Sequence, residues 1–138
     1  MGALEMRNII EETPQKGPNP FGKNSKNILI VDDDETLLHL LKRFFIREGF
    51  EVVVAKDGIE AMERLKAKNP AIVLTDLNMP SLSGIELIQF IRKNIKDIAI
   101  IVMTAYPEEW NGSEVEAFFV KPFDIEEMFS AIQRIVRV

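Results

Sequence analysis

Asn27-Ile-Leu-Ile-Val-Asp-Asp-Asp34 decides the fold, because an apolar run stops abruptly at three consecutive carboxylates. A strand with one face in water alternates apolar and polar residues. A continuous apolar run instead fits a parallel strand covered on both faces. Four more such runs follow, at Val52–Ala55, Ala71–Leu74, Ala99–Met103 and Ala117–Val120. Between the first two, Leu37, Leu38, Leu41, Phe44 and Phe45 recur at helical spacing, and Gly49 supplies a stop. Ile59, Met62 and Leu65 mark a second helix. Ser83 with Glu86 makes a capping box for a third, which buries Ile85, Ile88 and Ile91. Asp124 with Glu127 opens the last helix, striped by Ile125, Met128, Phe129, Ile132, Ile135 and Val136. This alternation predicts a doubly wound α/β sheet, whose site lies outside the carboxyl ends of its strands.

Outward from that body, residues 14–24 hold three Pro and two Gly in eleven positions and read as a linker or irregular arm. Ahead of them, Leu4, Met6, Ile9 and Ile10 stripe a short helix, or the segment is an unstructured terminus. The chain of 138 residues thus divides into an arm, 1–26, and one domain, 27–138. At 46% hydrophobic it builds a core without staples. The absence of Cys excludes disulfides, thiolate zinc sites and cysteine chemistry, and fits the cytoplasm. No apolar run approaches the roughly 18 residues of a membrane span, and no signal-like leader opens the chain. Residues 1–26 carry four basic and three acidic groups, so of the net −5 the domain carries −6. A body that acidic is a poor binder of phosphate backbones, and no direct nucleic-acid partner is expected.

The chemistry collects at the strand ends. Strand one runs into Asp32-Asp33-Asp34, strand three into Asp76, strand four into Thr104 and strand five into Lys121-Pro122. Taken singly, Asp32–Asp34 is a turn with a helix cap and Asp76 a turn residue. Taken together, a parallel sheet brings all four to one edge, although 43, 28 and 17 residues separate Asp33, Asp76, Thr104 and Lys121. Clustered carboxylates repel and need a counter-charge, for which Mg²⁺ is suited. Lys121 adds a mobile positive charge for a phosphoryl oxygen, and Thr104 a hydroxyl. With no Cys and a single His elsewhere, a carboxylate is the expected nucleophile. The inventory describes phosphoryl transfer onto an aspartate.

At these residues the chain resembles a bacterial response-regulator receiver domain of the single-domain chemotaxis type. The stretches that carry the resemblance are Ile28–Glu35, Leu74-Thr-Asp-Leu-Asn-Met-Pro80, Ser83-Gly84, Val102-Met-Thr-Ala105 and Val120-Lys-Pro-Phe123. The resemblance implies a five-stranded parallel sheet in the flavodoxin- and CheY-like order 2-1-3-4-5. It implies Asp76 as phospho-acceptor and Asp33 as a direct Mg²⁺ ligand. Asp32 then assists through water, and the Asn78 backbone carbonyl completes the protein ligands. Thr104 would hydrogen-bond the phosphoryl group and Lys121 would pair with it. Pro122 would follow a cis peptide, Phe118 would be the aromatic switch, and Asn78 and Tyr106 would tune dephosphorylation. Asp34 would cap the first helix rather than bind metal. The implied partner is a histidine kinase or histidine phosphotransfer protein, and the protein is a signalling module rather than an enzyme, apart from self-phosphorylation and self-dephosphorylation. With no output domain after Val138, it is expected to act alone through protein contacts. The alternatives are a phosphorylation-independent module on the same fold and an Mg²⁺-dependent phosphohydrolase. Against the latter, Asn78 stands where such enzymes place a second Asp, and on the third strand rather than the first.

One departure from the family pattern stands out. Residues 105–116 are about five fewer than usual between the Thr and the Lys, and Pro107 and Asn111-Gly112 interrupt them. A parallel crossover with its helix needs at least about 10–12 residues, so the fourth helix is expected to be missing or cut to about one turn. Strands four and five then lose cover. Trp110 and Tyr106 are expected to plug part of the gap, and the arm, through Leu4, Ile9, Ile10 and Phe21, or a second copy in a homodimer, the rest. His39 reads as a solvated helix residue, and Glu108, Glu109, Glu114 and Glu116 as a solvating acidic surface.

Overall fold

In the computed structural model, which describes residues 26–110 and 114–136, the five apolar runs form one parallel sheet. Its strands are β1 (Asn27–Val31), β2 (Glu51–Ala55), β3 (Ile72–Asp76), β4 (Ala99–Thr104) and β5 (Ala117–Val120), in the order β2-β1-β3-β4-β5. Helices α1 (Glu35–Arg47), α2 (Gly58–Ala67) and α3 (Gly84–Asn94) join the first four strands, and α4 (Ile125–Val136) follows β5. Both β3 and β4 run further than their apolar runs suggest. Asp76 pairs with Met103 and Thr104 with Val120, so each site residue is the last rung of its strand.

Successive residues of a strand face opposite sides, which divides the core in two. Ile28, Ile30, Leu74 and Met103 meet Leu41 and Phe45 of α1 and Met128 and Ile132 of α4. Leu29, Val31, Val73 and Val102 meet Leu65 of α2 and Leu87, Ile88 and Ile91 of α3. Near the first layer, Phe44, Phe45, Phe50 and Phe129 pack edge to face, with ring centroids 5.2 to 6.0 Å apart. The edge strand β2 departs from the two-sided cover expected of it, because Val53 is exposed.

The caps follow the sequence. Asp34 Oδ1 accepts from the N–H groups of Thr36 and Leu37 at 3.0 and 3.2 Å. Ser83 and Glu86 form the reciprocal capping box, and Asp124 Oδ1 accepts from Glu126 and Glu127. Gly49 ends α1 with φ of 90°, a conformation that costs glycine little. Two helix faces differ from what the apolar spacing predicts. Gly58, Ala61 and Leu65 turn inward on α2, which leaves Ile59 54% exposed. On α3, Leu87 is buried with Ile88 and Ile91, whereas Ile85 is only partly covered.

Gly84 sits where α3 starts against the end of β3. Its N–H donates to the Leu77 carbonyl at 2.9 Å, and a Cβ there would run into the Asp76 carbonyl oxygen and Leu77 Cα. Backbone has nowhere to yield, so Gly84→Ala is expected to destabilise the fold by about 3 kcal/mol in a denaturant melt. A loss below about 1 kcal/mol would show that the turn can open at little cost.

Between β4 and β5 the described residues hold a single 3₁₀ turn, Pro107–Glu109, in place of the crossover helix. The expected shortening is therefore present. Trp110 does fill part of the gap: like Val115 and Phe118 it packs, partly buried, against the core on the α2–α3 side of the sheet. Tyr106 does not, since it is 51% exposed and only its backbone turns inward, the N–H donating to Thr104 Oγ1 at 2.9 Å. Val120, on the same side of β5 as Phe118, is 45% exposed. Arg92 of α3 anchors the shortened connection. It donates to the carbonyls of Glu114 and Ile98 at 2.7 and 3.0 Å and to Glu116 Oε1 at 2.7 Å. The same Oε1 accepts from the Ile100 N–H at 2.7 Å, so Glu116 is structural rather than solvating. Of the arm expected as cover, residues 1–26, all but Lys26 lie outside the described residues, Leu4, Ile9, Ile10 and Phe21 among them.

Candidate functional site

The ends of β1, β3, β4 and β5 converge at the carboxyl edge of the sheet. Asp32 follows β1 and is buried; its N–H donates to the Ala55 carbonyl at 3.1 Å, which holds it at the β1–β2 junction. Its Oδ1 accepts from the Asp34 N–H at 2.8 Å and its Oδ2 from Lys121 Nζ at 2.7 Å. Asp76 Oδ1 accepts from the N–H groups of Leu77 and Asn78 at 2.7 and 3.3 Å. Its Oδ2 faces Lys121 Nζ at 3.3 Å. Asp33 is exposed beside them, and Asp32, Asp33 and Asp76 each offer a carboxylate oxygen within 4.8 Å of the others.

Lys121 reaches the cluster from the end of β5. The peptide between Lys121 and Pro122 is cis, as the resemblance implied, and the Lys121 N–H donates to the Thr104 carbonyl at 2.8 Å. Thr104 is buried at the same edge. Its hydroxyl oxygen accepts from the Tyr106 N–H, which leaves the hydroxyl proton available to donate. Phe118, aligned with Val102 of β4, is half-buried against the α2–α3 side of the core. His39 is exposed on α1 and Asp34 is engaged as a cap, so both stand outside the cluster, as expected.

The cluster holds three carboxylates to one ammonium, and Lys121 Nζ faces two of them, Asp32 and Asp76. Burial pushes the Asp32 carboxyl above the ordinary carboxylate value, against the pull of Lys121 and the Asp34 N–H, and the Asp76 charge adds to the rise. Burial alone would lower Lys121. The hydrogen bond and charge of Asp32, with the charge of Asp76, outweigh it and raise the ammonium above an ordinary lysine. The donor set is all oxygen and the charge is in deficit, which fits a hard divalent cation.

Glu109, expected to be part of a solvating acidic surface, instead reaches the rim of the site. Its Oε1 accepts from Asn78 Nδ2 at 2.8 Å, joining the 3₁₀ turn to the loop after β3. The two residues are 31 apart, and no sequence signal pairs them.

Over residues 28–133 the chain matches the response regulator receiver domain family. It is 34% identical over 115 residues to the sporulation initiation phosphotransferase F of Bacillus subtilis, covering 80% of this chain and 93% of that protein. It is 33% identical over 118 residues to PhoP, the alkaline phosphatase synthesis transcriptional regulatory protein of the same organism, covering 82% of this chain. The chain spans about half of PhoP (49%) and of SrrA of Staphylococcus aureus (48%). Among solved structures, TrrA of Thermotoga maritima, in complex with Mg²⁺ and BeF, is 34% identical with a TM-score of 0.73. The match covers 80% of this chain and 98% of that one. The receiver domain of the Francisella response regulator 1452 gives 29% and 0.74, over 81% and 97%. The chain belongs to the response regulator receiver domain family, the signalling modules of two-component systems.

Among the described residues, no helix is long and apolar enough to cross a membrane.

Proposed function

We propose that Asp76 accepts a phosphoryl group from the phosphohistidine of a histidine kinase or histidine phosphotransfer protein, and that this switches a protein-interaction surface. The observation that carries the reading is Asp76 itself. It is the last residue of β3, its Oδ1 is held by two backbone N–H groups, and its Oδ2 faces the Lys121 ammonium. One oxygen is thus fixed while the other faces a cation able to pair with a phosphoryl oxygen. Oδ2 attacks phosphorus as the phosphorus–nitrogen bond of the donor breaks, and the electron pair leaves with the imidazole. Lys121 Nζ balances charge on the phosphoryl oxygens, and the Thr104 hydroxyl donates to one of them.

Asp33, Asp76 and the Asn78 carbonyl would hold Mg²⁺ directly, with Asp32 acting through water. The bound ion would neutralise charge on the phosphoryl oxygens. When Thr104 turns toward the phosphoryl group it leaves space beside β4 and β5, and Phe118, packed only in part, moves into it. A groove of about 450 Å³ borders Lys121 between Leu37 and Leu40 of α1 and Phe123 and Ile125, an apolar surface suited to the phosphohistidine partner. The intact set of Asp32, Asp33, Asp76, Thr104 and Lys121 speaks against a phosphorylation-independent module. The chemistry is confined to phosphorylation and dephosphorylation of the chain's own Asp76, with the partner as donor, so the chain is a signalling module rather than an enzyme, and residues 1–26 are an arm outside the module.

Incubation with acetyl phosphate tests this. Intact mass is expected to rise by one phosphoryl group with Mg²⁺ present and to stay unchanged with chelator. Asp33→Asn is expected to weaken Mg²⁺ binding at least about tenfold by calorimetry, since a direct charged ligand is lost. Unchanged affinity would remove Asp33 from the ligand set.

A further inference from the structure

We propose that Glu109 is a positioning residue for loss of the phosphoryl group, its carboxylate pinning the Asn78 amide so that the amide carbonyl orients the water that attacks the phosphorus. This rests on Asp76 being the acceptor. Asn78 is tied to that carboxylate by its own backbone, its N–H lying 3.3 Å from Asp76 Oδ1, so its side chain starts at the rim of the site. The side chain then donates through Nδ2 to Glu109 Oε1 at 2.8 Å. An amide is planar. Once its nitrogen is engaged, the plane is set and the carbonyl oxygen remains as the acceptor for a water.

Glu109 is equipped to hold that plane because its own backbone is fixed at both ends. The Tyr106 N–H donates to Thr104 Oγ1 at 2.9 Å, the Glu109 N–H to the Tyr106 carbonyl at 3.0 Å, and the Trp110 N–H to the Pro107 carbonyl at 3.1 Å. Trp110 then packs into the α2–α3 side of the core. Six residues from Thr104 to Glu109 thus run from a site hydroxyl to a carboxylate that returns to the site, anchored by the ring that follows. A full crossover helix would carry the chain along the sheet face. The 3₁₀ turn keeps it at the edge.

In the hydrolysis, the water oxygen forms a bond to phosphorus as the bond to the Asp76 oxygen breaks. The electron pair returns to the Asp76 carboxylate, and hydrogen phosphate and a proton leave. Holding the water on a fixed acceptor lowers the cost of aligning it, the ordinary gain from orientation.

The test uses the full chain, charged with acetyl phosphate and Mg²⁺ and then freed of donor, with loss of the adduct followed by intact mass. Glu109→Ala is expected to lengthen the lifetime of the adduct about fivefold, since the acceptor is no longer held. Glu109→Gln keeps an acceptor oxygen for Asn78 and is expected to stay within about twofold of the wild type. Asn78→Ala is expected to lengthen the lifetime too, and in that background Glu109→Ala is expected to add nothing, as for two residues acting as one unit. An unchanged or shortened lifetime in Glu109→Ala overturns the proposal. So does an equal lengthening by Glu109→Ala with and without Asn78, which would place its action elsewhere. If the wild type takes up no phosphoryl group, the assignment of Asp76 fails and this inference with it.

Discussion

Asp76→Asn is expected to take up no phosphoryl group from acetyl phosphate and Mg²⁺ while keeping the fold. The substitution is nearly isosteric, and the amide oxygen still accepts from the Leu77 and Asn78 N–H groups that hold Oδ1. The amide nitrogen then falls where Oδ2 stood, 3.3 Å from the Lys121 ammonium, so two donors face each other. That loss is offset by relief of the repulsion between Asp76 and Asp32, which raises the Asp32 pKa in the wild type. The net effect on stability is expected to stay within about 1 kcal/mol. Phosphoryl uptake, in contrast, is lost outright, because an amide nitrogen is no nucleophile at neutral pH. An adduct of undiminished yield on the variant would move the acceptor to another carboxylate of the cluster.

Lys121→Met carries the largest expected cost in stability, and the cost depends on the metal. Asp32 is buried and Lys121 Nζ is the partner of its Oδ2, at 2.7 Å. Removing the ammonium leaves two close carboxylates with no cation, and breaking a buried pair from one side typically costs about 3 kcal/mol or more. The expected result is a loss of that size without divalent ions and a clearly smaller one in excess Mg²⁺. Equal losses under the two conditions would show that the ion does not share the site with Lys121. Sign and pH follow from the same pair. Lys121 is raised above its ordinary 10.5, so its contribution is complete below that pH and is lost as the pH climbs through the folded value. Asp32 is raised above 3.8, so its ionised form burdens the fold, and the burden lifts as the pH falls through the folded value. The deficit of Lys121→Met is therefore expected to shrink in acid, where Asp32 takes up a proton instead of needing a cation.

The inner strands β1, β3 and β4 were legible because parallel strands buried on both faces must be apolar throughout, and the edge strands β2 and β5 carry similar apolar runs although Val53 and Val120 are exposed. The acidic cluster was legible for a related reason. A parallel sheet places every carboxyl end on one edge, so Asp32, Asp33, Asp76 and Lys121 had to meet once the strands were known. The shortened crossover was legible from its length and its Pro107. Helix faces were less so. Ile59 carries the apolar signal of α2, yet the helix is rotated to set Gly58 against Leu82, and only the packed neighbour decides that rotation.

What the sequence determined by itself is whatever local patterning dictates: the number of strands, the caps at Asp34 and Ser83, and the edge on which the carboxylates gather, while the strand order came from the family resemblance. What only the tertiary structure decided is how the chain closes where the helix is absent. Glu109 and Glu116 look alike in a row of acidic residues. One binds Asn78 at the mouth of the site, and the other is clamped between Arg92 and the Ile100 N–H. Nothing local separates them, because each is defined by a partner 16 to 31 residues away, brought near only when β4, β5 and α3 have packed.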